Sequence, residues 1–210
     1  MTAFDNGPRN EASWVTQLEA DTVLNDDARF RLKTHQNAVG DVAEVIARHM
    51  GVSKGMSEAI GTAAAYHDVG KLKVPEEILC KPGRLTQDEF AVMRGHPALG
   101  HDMLIKHVGR LAKLAASIAL NHHESMDGTG YPNGLTGDSI PIEARIVGIA
   151  DVYDALREDR PYRDGMTHEK AMAIILEGDE RTSRDKFCPL VKRVVERHDT
   201  EIAQHWRHYH

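Results

Sequence analysis

The 210-residue chain has only two cysteines, Cys80 and Cys188. Two thiols exclude a disulfide-stapled scaffold and the zinc modules that are built from several thiolates. The sequence has 13 histidines instead. A metal site in this chain would therefore need imidazole and carboxylate ligands. Four of the histidines crowd the last thirteen residues, and those four are also consistent with a simple polar tail.

The chain also lacks an excess of positive charge and a long apolar segment. It has 26 Lys and Arg against 32 Asp and Glu, a net charge of −6, which gives no electrostatic reason to expect a nucleic-acid polymer as partner. No run approaches the ~18 consecutive apolar residues of a membrane span. The first residues have neither the basic nor the apolar region of a secretory signal. These absences predict a cytoplasmic protein without a membrane span.

Apolar residues recur at helical spacing through most of the chain, and no segment alternates as a strand does. One stripe runs from Leu104 to Ile118 in steps of four and three and then reaches His122, which predicts one helix over this range. A second helix is predicted from Pro141, a favoured first-turn residue, to Leu156. The pattern predicts an all-α fold, a compact multi-helix bundle.

Two threonines indicate further helix starts. Thr86 and Glu89 have the spacing of a capping box, and Thr167 precedes another apolar stripe. The segment 127–141 is dense in Gly, Pro, Asn and Asp, and a loop of this length in a helical domain is more often functional than idle. We predict a helical lead-in over residues 1–29, one main domain over 30–200 and a His-rich polar tail over 201–210.

His67 and Asp68 are adjacent at the end of an apolar helix. Burying an unpaired carboxylate is costly, and a bound cation would remove that cost. A carboxylate has two oxygens and can bridge two metal ions, while the neighbouring imidazole ligates one of them. The alternative is a His–Asp hydrogen bond that caps the helix. Lys71 lies one helical turn beyond His67 and is in reach of the same space if the helix continues.

Five further residues have features of metal ligands, although each alone is a weak indication. The adjacent residues His122 and His123 stand where a helix is expected to end, and His96 precedes a proline. Asp151 lies in the middle of a helix beside the core face, and His35 faces inward on its own helix. Together with His67 and Asp68 they exceed what one four-coordinate ion needs. The set predicts a two-metal centre between helices, with Asp68 as the bridge.

These motifs resemble the HD phosphohydrolase superfamily. The segment from His122-His123-Glu124 to Gly130-Tyr131-Pro132 is similar to the extended signature of its HD-GYP branch, and the resemblance spans roughly residues 30 to 195. It implies an all-helical domain that binds two or three metal ions. It also implies hydrolysis of cyclic di-GMP to pGpG, and in some members on to GMP, by a hydroxide that bridges the metals.

Carried over residue by residue, the resemblance implies the same seven metal ligands: His35, His67, Asp68, His96, His122, His123 and Asp151. It makes Asp68 and Lys71 catalytic, with Lys71 also contacting the substrate phosphate. It implies further substrate contacts by Gly130, Tyr131, Pro132, Arg160 and Arg163. Lysine and arginine are suitable cationic donors for phosphate. No residue is assigned as the general acid for the leaving oxygen.

The chain departs from the family pattern at Arg31. Members with three metals have a glutamate there, and because a guanidinium cannot ligate a metal we predict two divalent transition-metal ions, Fe or Mn first and Zn, Ni or Co otherwise. A second departure is Phe187-Cys188-Pro189 in place of Phe-Asp-Pro. A non-catalytic receptor or adaptor for cyclic dinucleotides, and an HD phosphohydrolase for another nucleotide, are the alternatives. A sensory-domain or signalling-protein partner and a homodimer are left open.

Overall fold

The computed structural model describes residues 26–159 and 163–210. The α-helices of this part are α1 (Asp26–His49), α2 (Lys54–Ala64), α3 (Glu76–Leu79), α4 (Gln87–Met93), α5 (His96–Leu104), α6 (Arg110–Asn121), α7 (Ile142–Arg157), α8 (His168–Glu177), α9 (Pro189–Arg197) and α10 (Asp199–Trp206). Short 3₁₀ helices span Val69–Lys73, Gly137–Ser139 and Arg184–Lys186. Within the described ranges there is no strand, and Asp127 and Thr136 form an isolated antiparallel bridge. The prediction of an all-α fold is confirmed.

Helix α1 lies at the centre of the bundle and packs against α2, α7 and α10. Its apolar residues from Ala38 to Ala47 are almost completely buried. Glycines allow a close crossing with α2, since a Cβ on Gly40 would stand 2.8 Å from the carbonyl oxygen of Gly61. This crossing brings the first half of α1 beside the turn that follows α2.

The predicted helix starts are observed. The Thr86 side chain accepts from the backbone of Glu89 in a capping box, and the Thr167 side chain accepts from the backbone of Lys170. Pro141 immediately precedes α7. Cys188 takes the position before α9 and is buried, so the departure at this junction still allows the helix to begin.

The prediction of one helix from Leu104 to Ile118 is wrong. Helix α5 ends at Leu104, and α6 begins only at Arg110. Gly109 adopts a positive φ of 132°, and Val108, which the stripe placed in the core, is 98% exposed. The apolar spacing continued across the break by coincidence, and the glycine was the signal that the helix is interrupted.

The segment 201–210 is not a polar tail. Most of it belongs to α10, where Ile202, Ala203 and Trp206 are buried against the rest of the bundle. Tyr209 donates from its hydroxyl to Asp41 on α1 at 2.9 Å. The histidines between these residues gave the segment a polar composition that concealed its apolar face. None of the helices described is long and apolar enough to cross a membrane.

Candidate metal centre

The structure brings all seven predicted ligands to one place from five parts of the chain. His35 lies on α1, His67 and Asp68 in the turn after α2, His96 at the start of α5, His122 and His123 at the end of α6, and Asp151 on α7. They form two adjoining clusters. One is His35, His67 and Asp151, and the other is Asp68, His96, His122 and His123.

The first cluster presents two imidazole nitrogens to two carboxylates. Nε2 of His35 lies 3.2 Å from Nε2 of His67 and 3.4 Å from Oδ1 of Asp151. Nε2 of His67 lies 3.4 Å from Oδ2 of Asp68. Nitrogen and oxygen atoms at these separations can share a single ion, because ligand bonds of about 2.0–2.2 Å place neighbouring ligand atoms in this range.

The second cluster lies on the opposite side of Asp68. Nε2 of His96 is 3.1 Å from Oδ1 of Asp68 and 3.4 Å from Nε2 of His122. His123 is at the edge, with its Nδ1 4.0 Å from Oδ2 of Asp151. Each carboxylate therefore directs one oxygen to each cluster, and the fully buried Asp68 has the geometry of a bridge between two ions.

Three of the histidines are oriented by backbone carbonyls. Each donates from Nδ1 and so presents Nε2, without a proton in the neutral ring, to the centre. The pairs are His67 with Ala64 (2.7 Å), His96 with Met93 (2.8 Å) and His122 with Ala119 (2.9 Å). The histidine of the His-Asp pair does close the end of its helix, but through Ala64 rather than through Asp68.

The surroundings of Oδ1 of Asp68 show that a cation fits between the side chains of the second cluster. The atom is buried and accepts no hydrogen bond, although the Nε2 atoms of His96 and His122 lie 3.1 and 3.7 Å away. Because both rings donate their Nδ1 protons to backbone carbonyls, Oδ1 of Asp68 and the two Nε2 atoms face one another without a proton between them. Three buried acceptor atoms without a donor are unfavourable. A divalent ion, which imidazole and carboxylate ligate, would relieve this cost.

The electrostatics of the centre favour neutral imidazoles in the second cluster and an ionised carboxylate between the two clusters. Burial lowers the pKa of His122 and, with the added charge of His122, holds the pKa of His123 well below its usual range. Burial alone would raise the pKa of Asp68, but the charges of Lys71 and His67 outweigh it and hold that pKa well below the ordinary value. Neutral imidazole and ionised carboxylate are the forms that bind metals.

Three carboxylates surround His35. Burial alone would lower its pKa, yet hydrogen bonds with Asp151, Asp154 and Asp68 outweigh burial and raise the pKa well above the ordinary value. The surroundings of this ring thus stabilise positive charge, whether on a proton or on a metal ion.

Sequence reasoning missed the role of Asp154. Its carboxylate is fully buried and accepts from Nδ1 of His35 at 2.5 Å and from Nε1 of Trp206 at 2.7 Å. Nε2 of His210 lies 3.2 Å from the same carboxylate. The cost of burying a carboxylate, which singled out Asp151, applied equally to Asp154 three residues later and was the signal available.

Gly70 allows the turn that carries Asp68 to approach α5. A Cβ on Gly70 would stand 1.9 Å from the carbonyl oxygen of His96, so only glycine fits there. The next residue, Lys71, belongs to a 3₁₀ helix rather than a continued α-helix, and its ammonium pairs with Oδ2 of Asp68. Lys71 therefore reaches Asp68 from a 3₁₀ helix, and its predicted contact with substrate stays a prediction.

The Gly130-Tyr131-Pro132 loop is held against the second cluster. The Tyr131 ring lies 4.7 Å from the ring of His123, and its backbone nitrogen donates to the His123 carbonyl at 3.1 Å. A Cβ on Gly130 would meet the backbone nitrogen of Ser125 at 2.4 Å. Glu124 fixes the far side of the loop by accepting from the backbone of two residues, Asn133 and Leu135, at 2.7 and 2.8 Å.

A cavity of about 280 Å³ adjoins the second cluster. Its lining includes His122 and His123 on the side of the centre, the aromatic ring of Tyr131, and the cationic side chains of Arg94 and Lys186. The Arg94 guanidinium lies over the Tyr131 ring at 4.7 Å. Cationic donors and an aromatic face beside a metal centre are suited to a ligand with phosphate and base groups.

The family model described as the HD domain matches residues 20–185. The chain belongs to the HD domain family. Among curated relatives, the cyclic di-GMP phosphodiesterase response regulator RpfG of Xanthomonas campestris is 46% identical over 134 residues, which cover 64% of this chain and 35% of that protein. The 3′3′-cGAMP-specific phosphodiesterase 2 of Vibrio cholerae is 40% identical over 169 residues, 80% of this chain and 32% of that protein. The chain thus spans about a third of each relative's length.

A solved HD-domain structure has the same fold. The protein Bd1817 from Bdellovibrio bacteriovorus, described as an HDG"Y"P protein, superimposes with a TM-score of 0.61 at 17% identity, over 90% of this chain and 66% of that one. At this identity the likeness concerns the fold. The family match and the phosphodiesterase relatives confirm the resemblance to the HD-GYP branch that the motifs indicated.

The structure does not test the substrate contacts predicted for two arginines. Arg160 lies outside the described residues. Arg163 donates from Nη2 to the carbonyl oxygen of Ala155 at 2.7 Å, so its guanidinium stabilises the C-terminal end of α7. A substrate contact by either arginine stays a prediction. Arg31, one turn before His35 on α1, is exposed, and the two-metal expectation that rests on it also stays a prediction.

Proposed function

We propose that this HD-domain chain is a metal-dependent phosphodiesterase that hydrolyses cyclic di-GMP to pGpG. The observation that carries the proposal is Asp68, a buried carboxylate with one oxygen in each of two imidazole clusters. Two adjoining ion sites on a shared carboxylate are the arrangement that phosphoester hydrolases use. The relative named a cyclic di-GMP phosphodiesterase supports the substrate.

Each cluster would hold one ion. The first would use His35, His67, Asp151 and Oδ2 of Asp68, and the second would use His96, His122, His123 and Oδ1 of Asp68. When bound, two divalent ions would supply an activated water and neutralise negative charge on the phosphate oxygens. Imidazole and carboxylate ligands accept several first-row ions, and we propose Fe or Mn first, with Zn, Ni and Co as the other candidate occupants.

The chain's own residues would bind and orient the phosphodiester. Lys71 places a partly exposed ammonium group beside Asp68, where it would donate to a phosphate oxygen as charge builds up in the transition state. Tyr131 and Arg94 line the adjoining cavity, and they would contact a base and the second phosphate. Glu124 would keep Tyr131 in place by holding the backbone of the loop.

Two cyclic dinucleotides are candidates for the substrate, because one relative is named for cyclic di-GMP and another for 3′3′-cGAMP. The test is turnover by the purified chain, loaded anaerobically with Fe or Mn, on each dinucleotide separately. The proposal predicts release of linear pGpG, with cyclic di-GMP cleaved faster than 3′3′-cGAMP.

A matched pair of variants serves as control. Asp68→Asn should abolish turnover, whereas Asp102→Asn, an exposed carboxylate on α5, should leave it unchanged. Stoichiometric binding of cyclic di-GMP without cleavage would show a receptor instead of an enzyme. Cleavage of 3′3′-cGAMP alone would correct the substrate and keep the reaction.

A further inference from the structure

A second group of metal-ligating side chains lies away from the HD centre, where the C-terminal end of α1 meets the start of α10. The group consists of His49, His198 and Glu201, whose ligand atoms all lie within 4.8 Å of one another. His49 is the last residue of α1, His198 separates α9 from α10, and Glu201 is in the first turn of α10.

The three side chains contact one another directly. Nε2 of His49 lies 2.7 Å from Oε2 of Glu201, and the rings of His49 and His198 stack at 3.6 Å between centroids with 11° between their planes. All three are half-buried, so an ion from solvent can reach them. A helix end and a helix start thus converge on one point through two imidazoles and one carboxylate.

The ligand types of the group suit a cation, since imidazole is the commonest metal ligand. The hydrogen bond from His49 lowers the pKa of Glu201, which keeps this carboxylate ionised. Arg48 pairs with the other carboxylate oxygen, Oε1, and so orients the side chain while Oε2 remains directed at the histidines.

We propose that His49, His198 and Glu201 form an auxiliary site for a borderline divalent ion of the Zn²⁺ class, with water completing the coordination. Two imidazoles and a carboxylate with an open position are a common ligand set for zinc. Ligand atoms around a tetrahedral zinc stand roughly 3.3 Å apart, given bonds of about 2.0–2.1 Å. The ligand atoms of the three residues lie within 4.8 Å of one another, so binding an ion would draw these side chains closer together.

An ion bound at the auxiliary site would stabilise the packing of α10 against α1. Helix α10 carries Trp206, which donates to Asp154 behind the HD centre. An ion held by one residue of α1 and two residues at the start of α10 would therefore stabilise the docking of the segment that supports His35. This inference is independent of the substrate proposed above, because it concerns a separate ligand group.

The test is zinc binding by the purified 210-residue chain, measured by equilibrium dialysis against micromolar ZnCl₂ and elemental analysis. We expect His49→Ala, His198→Ala and Glu201→Gln each to bind one zinc equivalent fewer than the unmodified chain. The rise in Tm on adding zinc should also shrink in each variant, since part of it comes from this site.

His101→Ala is the matched control. His101 is a half-buried histidine next to a carboxylate, with its Nδ1 3.2 Å from Asp102, and within the described ranges it has no third ligand. This variant should keep the full zinc count. Glu201→Gln decides the outcome if an alanine variant folds poorly, because glutamine preserves the size of the side chain. If Glu201→Gln binds as much zinc as His101→Ala, the auxiliary site does not exist.

Discussion

Nδ1 of His35 lies 2.5 Å from Oδ2 of Asp154, and this contact connects the C-terminal helix to the metal centre. The same carboxylate accepts from Trp206 on α10. A carboxylate behind a metal-ligating histidine fixes the orientation of the ring and raises its basicity. If His35 holds a metal ion as we propose, Asp154 would position its ring from behind.

Replacing Asp154 with asparagine should weaken the first ion site. An amide cannot hold the His35 ring as a carboxylate does, and loss of such a partner typically costs about 10–100-fold in metal affinity or activity. We expect a fall of that size in metal retained after dialysis and in turnover. Tyr209→Phe, which removes a hydrogen bond of the same C-terminal segment to Asp41, should retain its metal. Equal metal retention by Asp154→Asn and Tyr209→Phe would show that the contact has no positioning role.

A methyl group at Gly130 should disturb the loop that carries Tyr131. The added Cβ would lie 2.4 Å from the backbone nitrogen of Ser125 and 2.6 Å from the carbonyl oxygen of His123, neither of which is a flexible side chain. Overpacking of this kind costs about 1–3 kcal/mol. Gly130→Ala should therefore lower the free energy of unfolding by that amount in urea titration, and it should reduce turnover.

Gly55→Ala provides the control for the loop variant. Gly55 lies on α2 with nothing within 4 Å of an added Cβ, so alanine there should stabilise the chain by roughly 0.5–1 kcal/mol through helix propensity. A neutral Gly130→Ala would mean that the loop adapts and does not constrain Tyr131.

Removing the guanidinium of Arg94 should weaken substrate binding without affecting the metals. Arg94 lines the cavity and lies over Tyr131, but it is outside both ligand clusters. Loss of one charge-assisted contact to phosphate predicts a rise in KM of about tenfold for Arg94→Ala. Metal content should match that of Arg193→Ala, an exposed arginine on α9. An unchanged KM would show that the substrate does not contact Arg94 in this cavity.

The docking of the C-terminal segment should appear in the alkaline pH dependence of stability. Burial and the hydrogen bond to Asp41 raise the pKa of Tyr209 to about 12, above the value near 10 of an unfolded chain. Below about pH 10 both states hold the Tyr209 proton, and its full contribution to the free energy of unfolding is present. Between about pH 10 and 12 the unfolded chain loses this proton while the folded chain keeps it, so the free energy of unfolding falls. Urea titrations should show a shallower decline for Tyr209→Phe, and equal slopes would indicate an undocked Tyr209.

Sequence patterns predicted the seven side chains that the fold brings together, but they did not predict the contacts that hold those side chains in place. His67-Asp68 and His122-His123 stand out because charged or polar pairs at the ends of apolar helices need partners. The break at Gly109 was not predicted, because apolar spacing does not reveal that a residue such as Val108 lies between two helices. Asp154 was not predicted because its partner, Trp206, lies 52 residues away on a helix hidden by a polar composition.

The central claim is that Asp68 bridges two metal ions, and the most direct measurement is the electron paramagnetic resonance of the Mn²⁺-loaded chain together with its metal count. The Glu201→Gln background removes the auxiliary site, so that the count refers to the HD centre alone. The account predicts two manganese ions per chain with exchange-coupled spins, and loss of the coupling in Asp68→Asn. One ion per chain, or two ions with the spectra of isolated Mn²⁺, would contradict the bridge, and three ions would contradict the expectation drawn from Arg31.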